Sequence, residues 1–380
     1  MTALPEKLAL FAATPPGLEA LVAEELAALG ISGRAVPGGV EFSGDATQLA
    51  RANLHLRCAN RVLLRLGSFH ALHLAELRRK AAALPWHLVV RPGEPVAVRA
   101  ACRGSRIYHS GAAAERVWLA IGDALGAPVD EVAAAADDET PTGLGVLVRI
   151  ERNHVTISVD SSGEHLHKRS YRQRVGKAPM RETLAAGCLR MAGWSGTDGE
   201  ALLDPMCGSG TLVIEAALAA AAIPAGAHRG FACERWPAFE SGILTGLRQE
   251  AAAAQREPAV ALAGGDRDAG AVAGAGENAE RAGVASWVSF TQQPISAARP
   301  NAERGLLICN PPYGARIGEV KRLRDLYATL GNIYRRHFAG WRLAFVAASP
   351  QLVHATGLQP VPCGPVLDNG GLKVRLFVVS

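Results

Sequence analysis

Residues 202–211 read Leu202-Leu203-Asp204-Pro205-Met206-Cys207-Gly208-Ser209-Gly210-Thr211: an apolar strand ends on an acid and turns through small residues into the helical pattern that follows. Small residues in such a turn let a ligand touch the backbone. A nicotinamide dinucleotide site asks for GxGxxG, but the third glycine position counted from Gly208 is Val213. The dinucleotide reading weakens accordingly. A strand-end acid followed by GxG better suits a ligand without a pyrophosphate, such as S-adenosyl-L-methionine, whose amino-acid part packs on the glycine turn. A plain strand-to-helix turn is the alternative for this motif taken alone.

Working outward, apolar strands alternate with helices from ALLDP through TLVIEAALAAA, VALAGGD, a helix ending near Ala282, WVSF and GLLICN. Buried strands separated by helices predict a parallel, doubly wound sheet. The tail predicts a hairpin from Pro360 through Asn369-Gly370 to LKVRLFVVS. A helix is expected from about Pro179 to Gly193.

Two further strand ends carry chemistry. After VALAG come Gly265-Asp266-Arg267-Asp268, where a carboxylate can accept hydrogen bonds from both hydroxyls of a ribose, with Asp266 better placed than Asp268. After Gly305 to Cys309 comes Asn310-Pro311-Pro312-Tyr313-Gly314. The prolines fix an extended turn. The Asn310 side-chain oxygen and the Pro311 carbonyl can then face one planar amino group while the Tyr313 ring offers a stacking surface. Asn310, Pro311 and Tyr313 are the candidate catalytic residues. Asp204, Cys207, Gly208, Ser209, Gly210, Thr211, Asp266, Arg267 and Asn310 are the candidates to hold the cofactor. Cys207 and Cys309 lack a neighbouring His or second Cys and read as small buried side chains.

Ahead of this module the first 60 residues read strand, helix, strand, helix: LALFAAT, GLEALVAEELAALG, GVEFSG, then an amphipathic run from Ala46. Residues 61–164 read as a second α+β module with a helix near Gly111 and an acidic connection at Ala135 to Gly145. From His165 to Arg181 the chain holds six basic residues and no acid, and the module of alternating strands and helices is taken as 165–380. Lys168, Arg169, Arg172, Arg174 and Lys177 are the candidate RNA phosphate contacts, a solvated interdomain connection being the alternative. Arg57, Arg61 and Arg65, at helical spacing, read as a solvated helix face.

The 380 residues exclude a single small fold, and 49% apolar residues with net charge +5 exclude a disordered tail. The charge identifies no partner, and Arg over Lys by 34 to 6 reads as codon bias. Seven cysteines without a CxxC clip argue against a disulfide scaffold or zinc knuckle. His165 and His167 have no ligand partners at metal spacing, so no metal is expected. Neither a signal peptide nor a membrane span is read, and the expected location is the cytoplasm.

DPMCGSGT, GGDRD and NPPYG in this order resemble the S-adenosylmethionine-dependent amino-methyltransferases of the Rossmann-like class. With GLEALVAEELAALG, GGVEFSGD, LHLRCANRVLLRL, LHKRSYR, KAPMRETLAA and NPPYGARIG, the chain resembles the RNA methylase family that carries an N-terminal THUMP domain. Within that family it is similar to the guanine-N2 half of the K/L-type 23S ribosomal RNA methyltransferases.

The resemblance implies a ferredoxin-like subdomain over 1–60, a THUMP domain over 61–164, and methyl transfer to a guanine amino group in 23S rRNA or a ribosomal assembly intermediate. Pro294 stands where such enzymes often have an adenine-contacting Asp. The second, fused methyltransferase of the K/L proteins is not matched, so one activity is expected. A DNA adenine-N6 methyltransferase and a non-catalytic RNA-binding assembly factor are the competing readings.

Overall fold

A computed structural model describes residues 3–133, 142–173, 180–313 and 320–379. The chain divides into two compact units. The first comprises residues 1–14, 22–166 and 230–249, the second residues 15–21, 167–229 and 250–380.

In chain order the front of the molecule runs β1 (Leu8–Ala13), α1 (Glu19–Ala28), β2 (Gly33–Val36), β3 (Gly39–Gly44), α2 (Ala46–His55), β4 (Arg61–His70), α3 (Leu74–Ala82), β5 (Val96–Arg103), α4 (Ser110–Leu125), β6 (Leu144–Glu151) and β7 (His154–Asp160). Its seven strands form one sheet in the order β2-β3-β1-β4-β7-β6-β5. The two α+β modules expected before and after residue 60 therefore share hydrogen bonds through β1 and β4. Local chemistry sets the elements: Asp45 and Gln48 form a reciprocal capping box that starts α2.

Arg61 and Arg65 are corrected by this sheet. They lie on β4 rather than on a helix, Arg61 pairing with Asp160 and Arg65 with Glu41 at 2.6 Å.

The chain continues through α5 (Glu182–Met191), β8 (Ala201–Asp204), α6 (Thr211–Ala220), α7 (Gly242–Ala253), β9 (Leu262–Asp266), α8 (Ala269–Arg281), β10 (Val288–Gln292), β11 (Gly305–Cys309), α9 (Val320–His337), β12 (Trp341–Ala347), α10 (Pro350–Ala355), β13 (Val361–Asn369) and β14 (Leu372–Val379). The second sheet has the order β10-β9-β8-β11-β12-β14-β13. The five strands from β10 to β12 are parallel, and the terminal hairpin adds β14 and β13 antiparallel. Every residue of β8 and β11 is buried, which explains why both are apolar apart from Asp204 at the end of β8. The strand order reverses between β8 and β11, so the crevice for a ligand opens beyond their carboxyl ends.

Candidate active site

Register places the three motifs relative to one another. Asp204 pairs across to Gly264 on β9, and Leu203 to Leu307 on β11. Asp266 and Asn310 therefore each lie two residues beyond the level of Asp204, on the strands that flank it. At about 3.3 Å per residue this sets both roughly 7 Å further up the crevice.

The floor is a braced glycine turn. Gly208 and Gly210 have φ of +51° and +82°, values that glycine adopts without a Cβ clash. A Cβ on Gly210 would meet Phe290 and Ala275 at 3.0 Å, whereas one on Gly208 would enter open space. The turn is thus tight beneath and open above. Asp266 accepts the Gly208 N–H and the Asp268 N–H, each at 3.0 Å, and each of its oxygens keeps a further lone pair for a ligand hydroxyl. Asp268 instead caps α8 by accepting from Ala271 N–H at 3.0 Å, which separates the roles of the two acids. Ser209 and Thr211 are buried with their hydroxyls 3.5 Å apart, and Arg267 is exposed beside the turn.

Asp204 is 2% exposed and accepts the Met206 N–H at 3.0 Å. Burial, reinforced by the charge of Asp266, pushes its carboxyl up to about 8. Burial also raises the Cys207 and Cys309 thiols, which leaves both as neutral packing groups.

At the end of β11 the Asn310 Oδ1 is buried and has no hydrogen-bond partner among the described residues. An unpaired buried acceptor costs about 1–3 kcal/mol, so this atom is held ready for a donor. Pro311 is buried behind it. Tyr313 is half-buried, with its ring against the apolar cluster beneath α9, and its hydroxyl accepts from Asn369 Nδ2 at the end of β13. Burial raises the Tyr313 phenol, so it stays neutral.

Three supporting residues escaped the sequence reading. Asn278, fully buried on α8, donates to the Ser209 carbonyl at 3.0 Å and fixes the glycine turn from behind. Asn369 orients Tyr313. Gln293 donates its backbone N–H to the Asp266 carbonyl at 2.8 Å, and its side chain lies along Gly265. Next to it Pro294 only opens a short turn. The Gln293 carboxamide offers the donor and acceptor that an adenine edge needs.

The basic run is corrected in two places. Arg169 is 1% exposed and paired with Glu215, which also receives the Tyr171 hydroxyl at 3.1 Å. Arg172 pairs with Glu182 at 2.9 Å and donates to the Met180 carbonyl at 2.8 Å. Burial pushes Glu182 up to about 7 against the pull of Arg172. These two guanidinium groups hold α5 and α6 rather than facing a phosphate chain. Lys168 is partly exposed, while Arg174 and Lys177 lie outside the described residues.

Among the described residues no group of three or more His, Cys, Asp and Glu side chains is placed to hold a metal. No described helix is long and apolar enough to cross a membrane.

Residues 169–367 match the family model of the RMKL-like methyltransferase domain. The chain belongs to this family. In this RMKL-like chain residues 9–63 also match the RlmL ferredoxin-like domain. A ribosomal RNA large subunit methyltransferase K/L from Syntrophotalea carbinolica is 39% identical over 97% of the chain, but only 53% of that relative is covered. The RMKL-like chain thus spans about half the length of the K/L relatives it matches.

Two solved structures share its architecture. One, described as a predicted N6-adenine-specific DNA methylase from Listeria monocytogenes, has TM-score 0.88 and 30% identity over 98% of this chain and 96% of its own. The methyltransferase SMU.472, solved with SAH, has TM-score 0.87 and 28% identity over 99% of this chain and 98% of its own.

Proposed function

We propose that the chain uses S-adenosylmethionine to methylate the 2-amino group of a guanine in 23S rRNA. The observation that carries this reading is the buried Oδ1 of Asn310, unpaired among the described residues and two residues above Asp204 on the neighbouring strand. The open face of the Gly208 turn and the spare lone pairs of Asp266 fit the cofactor, and SMU.472, with the same architecture, was solved with SAH. When bound, the cofactor supplies an activated methyl on a sulfonium.

The residues of the chain then have a positioning task. Asp204, the Gly208–Gly210 turn and Asp266 hold the donor, and Gln293 takes the adenine contact that Pro294 cannot make. The lone pair of the guanine amine is spread into the ring, which makes it a poor nucleophile. Asn310 Oδ1 and the Pro311 carbonyl draw the two amine hydrogens and favour tetrahedral geometry as the nitrogen–methyl bond forms and the methyl–sulfur bond breaks, after which the amine releases one proton to solvent. Tyr313 stacks on the base. A paired guanine keeps this amine in the minor groove, so the base is presented unpaired or flipped, and duplex RNA is a poor substrate.

The K/L name of the Syntrophotalea relative supports the ribosomal RNA assignment, and residues 61–164 are read as the THUMP module that delivers it. The Listeria neighbour, described as a DNA methylase, favours a second reading, adenine-N6 in DNA, because Asn-Pro-Pro-Tyr accepts any planar amino group.

Mass spectrometry of nucleosides from cells lacking the gene separates the two: loss of N2-methylguanosine at one 23S site is expected, whereas unchanged rRNA with altered N6-methyladenine in DNA overturns the proposal. In the purified protein, Asn310→Ala is expected to lower turnover about 100-fold or more, well beyond any change in binding of S-adenosylhomocysteine.

A further inference from the structure

With Arg169 and Arg172 paired to internal acids, the exposed cations of α9 are further candidates in this unit to meet a polyanion. Lys321, Arg322 and Arg324 lie in its first two turns and are all exposed. None of the three has an ion-pair or hydrogen-bond partner among the described residues. Four other arginines of this unit serve as internal fasteners. Arg256 bonds the Ala220 carbonyl, Arg281 the Tyr171 carbonyl, Arg342 the Glu200 carboxylate, and Arg335, near the far end of α9, the Gly357 carbonyl.

Cations in the first turns of a helix also oppose its dipole, whereas Arg335 and Arg336 in the last turn comply with it. Three such cations at the unfavourable end, without partners among the described residues, are open to an anionic ligand.

Their location gives them one. α9 is antiparallel to β11 in the crossover sense, so its first turns stand at the carboxyl edge of the sheet, where Asn310 and Tyr313 lie. Leu323 and Tyr327 root this end in the cluster that also holds Cys309 and touches Tyr313. Lys321 and Arg324, with Asp325, Ala328 and Ala355 of α10, line an open groove of about 650 Å³. Among the described residues of that lining, Asp325 is the one acid.

We infer that Lys321, Arg322 and Arg324 form a phosphate-binding surface for the RNA strand next to the flipped guanine. The inference rests on the RNA reading above. The occupant is a single strand, because a base delivered to Asn310 has left its duplex and its neighbouring phosphates pass the rim of the crevice.

The test is binding of a fluorescein-labelled 20-nucleotide single-stranded RNA and of deproteinised 23S rRNA across a salt series. The triple variant K321Q/R322Q/R324Q is expected to lower the slope of log affinity against log salt by about 2, at roughly 0.7 per phosphate, and affinity near 0.1 M salt by about 100-fold. Binding of S-adenosylhomocysteine stays unchanged, and R336Q at the other end of the helix leaves the slope as it is. Should the triple variant lose cofactor binding, K321Q alone, with an expected drop of about 0.7, carries the test.

Wild-type protein that methylates 23S rRNA while the variants keep its slope overturns the α9 surface alone. Wild-type protein that neither binds nor methylates RNA overturns the RNA reading and the surface with it. A loss confined to duplex DNA, or to an acidic protein used as competitor, overturns the assignment to RNA.

Discussion

Asp204 is a carboxyl kept almost dry, with one backbone donor and a like charge near it. With its pKa pushed up to about 8, it carries its proton at pH 7 in the free protein. A cofactor whose ammonium group faces this acid favours the ionised form. Cofactor affinity is therefore expected to rise between about pH 6.5 and 8.5, with proton release near pH 7. Calorimetry in two buffers of different ionisation enthalpy reads the release directly, and Asp204→Asn should abolish both effects. Without ligand the sign is opposite: stability from the neutral carboxyl is full below its ordinary range near 4 and is lost as pH rises through 8.

The strand ends that carry the acids and glycines of the candidate site were legible because each follows an apolar run that ends in a mostly buried strand. Asn278 was harder, being one polar residue in the alanine-rich helix α8. The signal was that it shares the buried face of Gly274, Ala275 and Ala279, where a polar side chain must have a partner. Asn278→Ala leaves the Ser209 carbonyl unpaired and should weaken S-adenosylhomocysteine binding about tenfold, at roughly 1–3 kcal/mol per orphaned group.

Among elements, the sequence pattern located the strands of the second sheet and its closing hairpin, since buried parallel strands announce themselves as apolar runs. The pairing of charges was not legible, because it depends on which elements meet. The basic run near residue 169 has the composition of a phosphate site, yet its acids come from α5 and from the apolar helix α6. Glu215 was the clue: a lone carboxylate in the run Leu212 to Ile223 needs a buried cation.

Removing one member of such a pair costs about 3–5 kcal/mol. Arg169→Ala is accordingly expected to lower the urea midpoint strongly, while a residual folded fraction shows an unaltered salt slope for RNA. The packing of α9 on α10 makes a second demand. A Cβ on Gly331 would overlap the Thr356 carbonyl oxygen, so the two elements must separate to admit it. Gly331→Ala should lower the melting temperature by several degrees and act on turnover only through folding.

On the scale of the whole molecule, the two compact units are not continuous segments. Residues 230–249 return to the first unit from within the methyltransferase part. Cys233 N–H donates to the Ser161 carbonyl at 3.0 Å, and Ala238 N–H to the Leu88 carbonyl at 3.1 Å. Phe231 and Trp236 from the same stretch are buried. No composition change marks this return, because its residues satisfy the rules of either unit and only tertiary pairing decides.

The consequence is that cutting at residue 166 does not liberate a finished domain. Burial of one Phe and one Trp contributes on the order of 5 kcal/mol, a large part of the 5–15 kcal/mol that typically holds a domain together. A fragment of residues 1–166 is expected to melt broadly and bind an apolar dye. Appending residues 230–249 through a short Gly-Ser linker should restore a sharp transition. A fragment 1–166 that melts as sharply as the linked form would show that the returning segment adds nothing to the front unit.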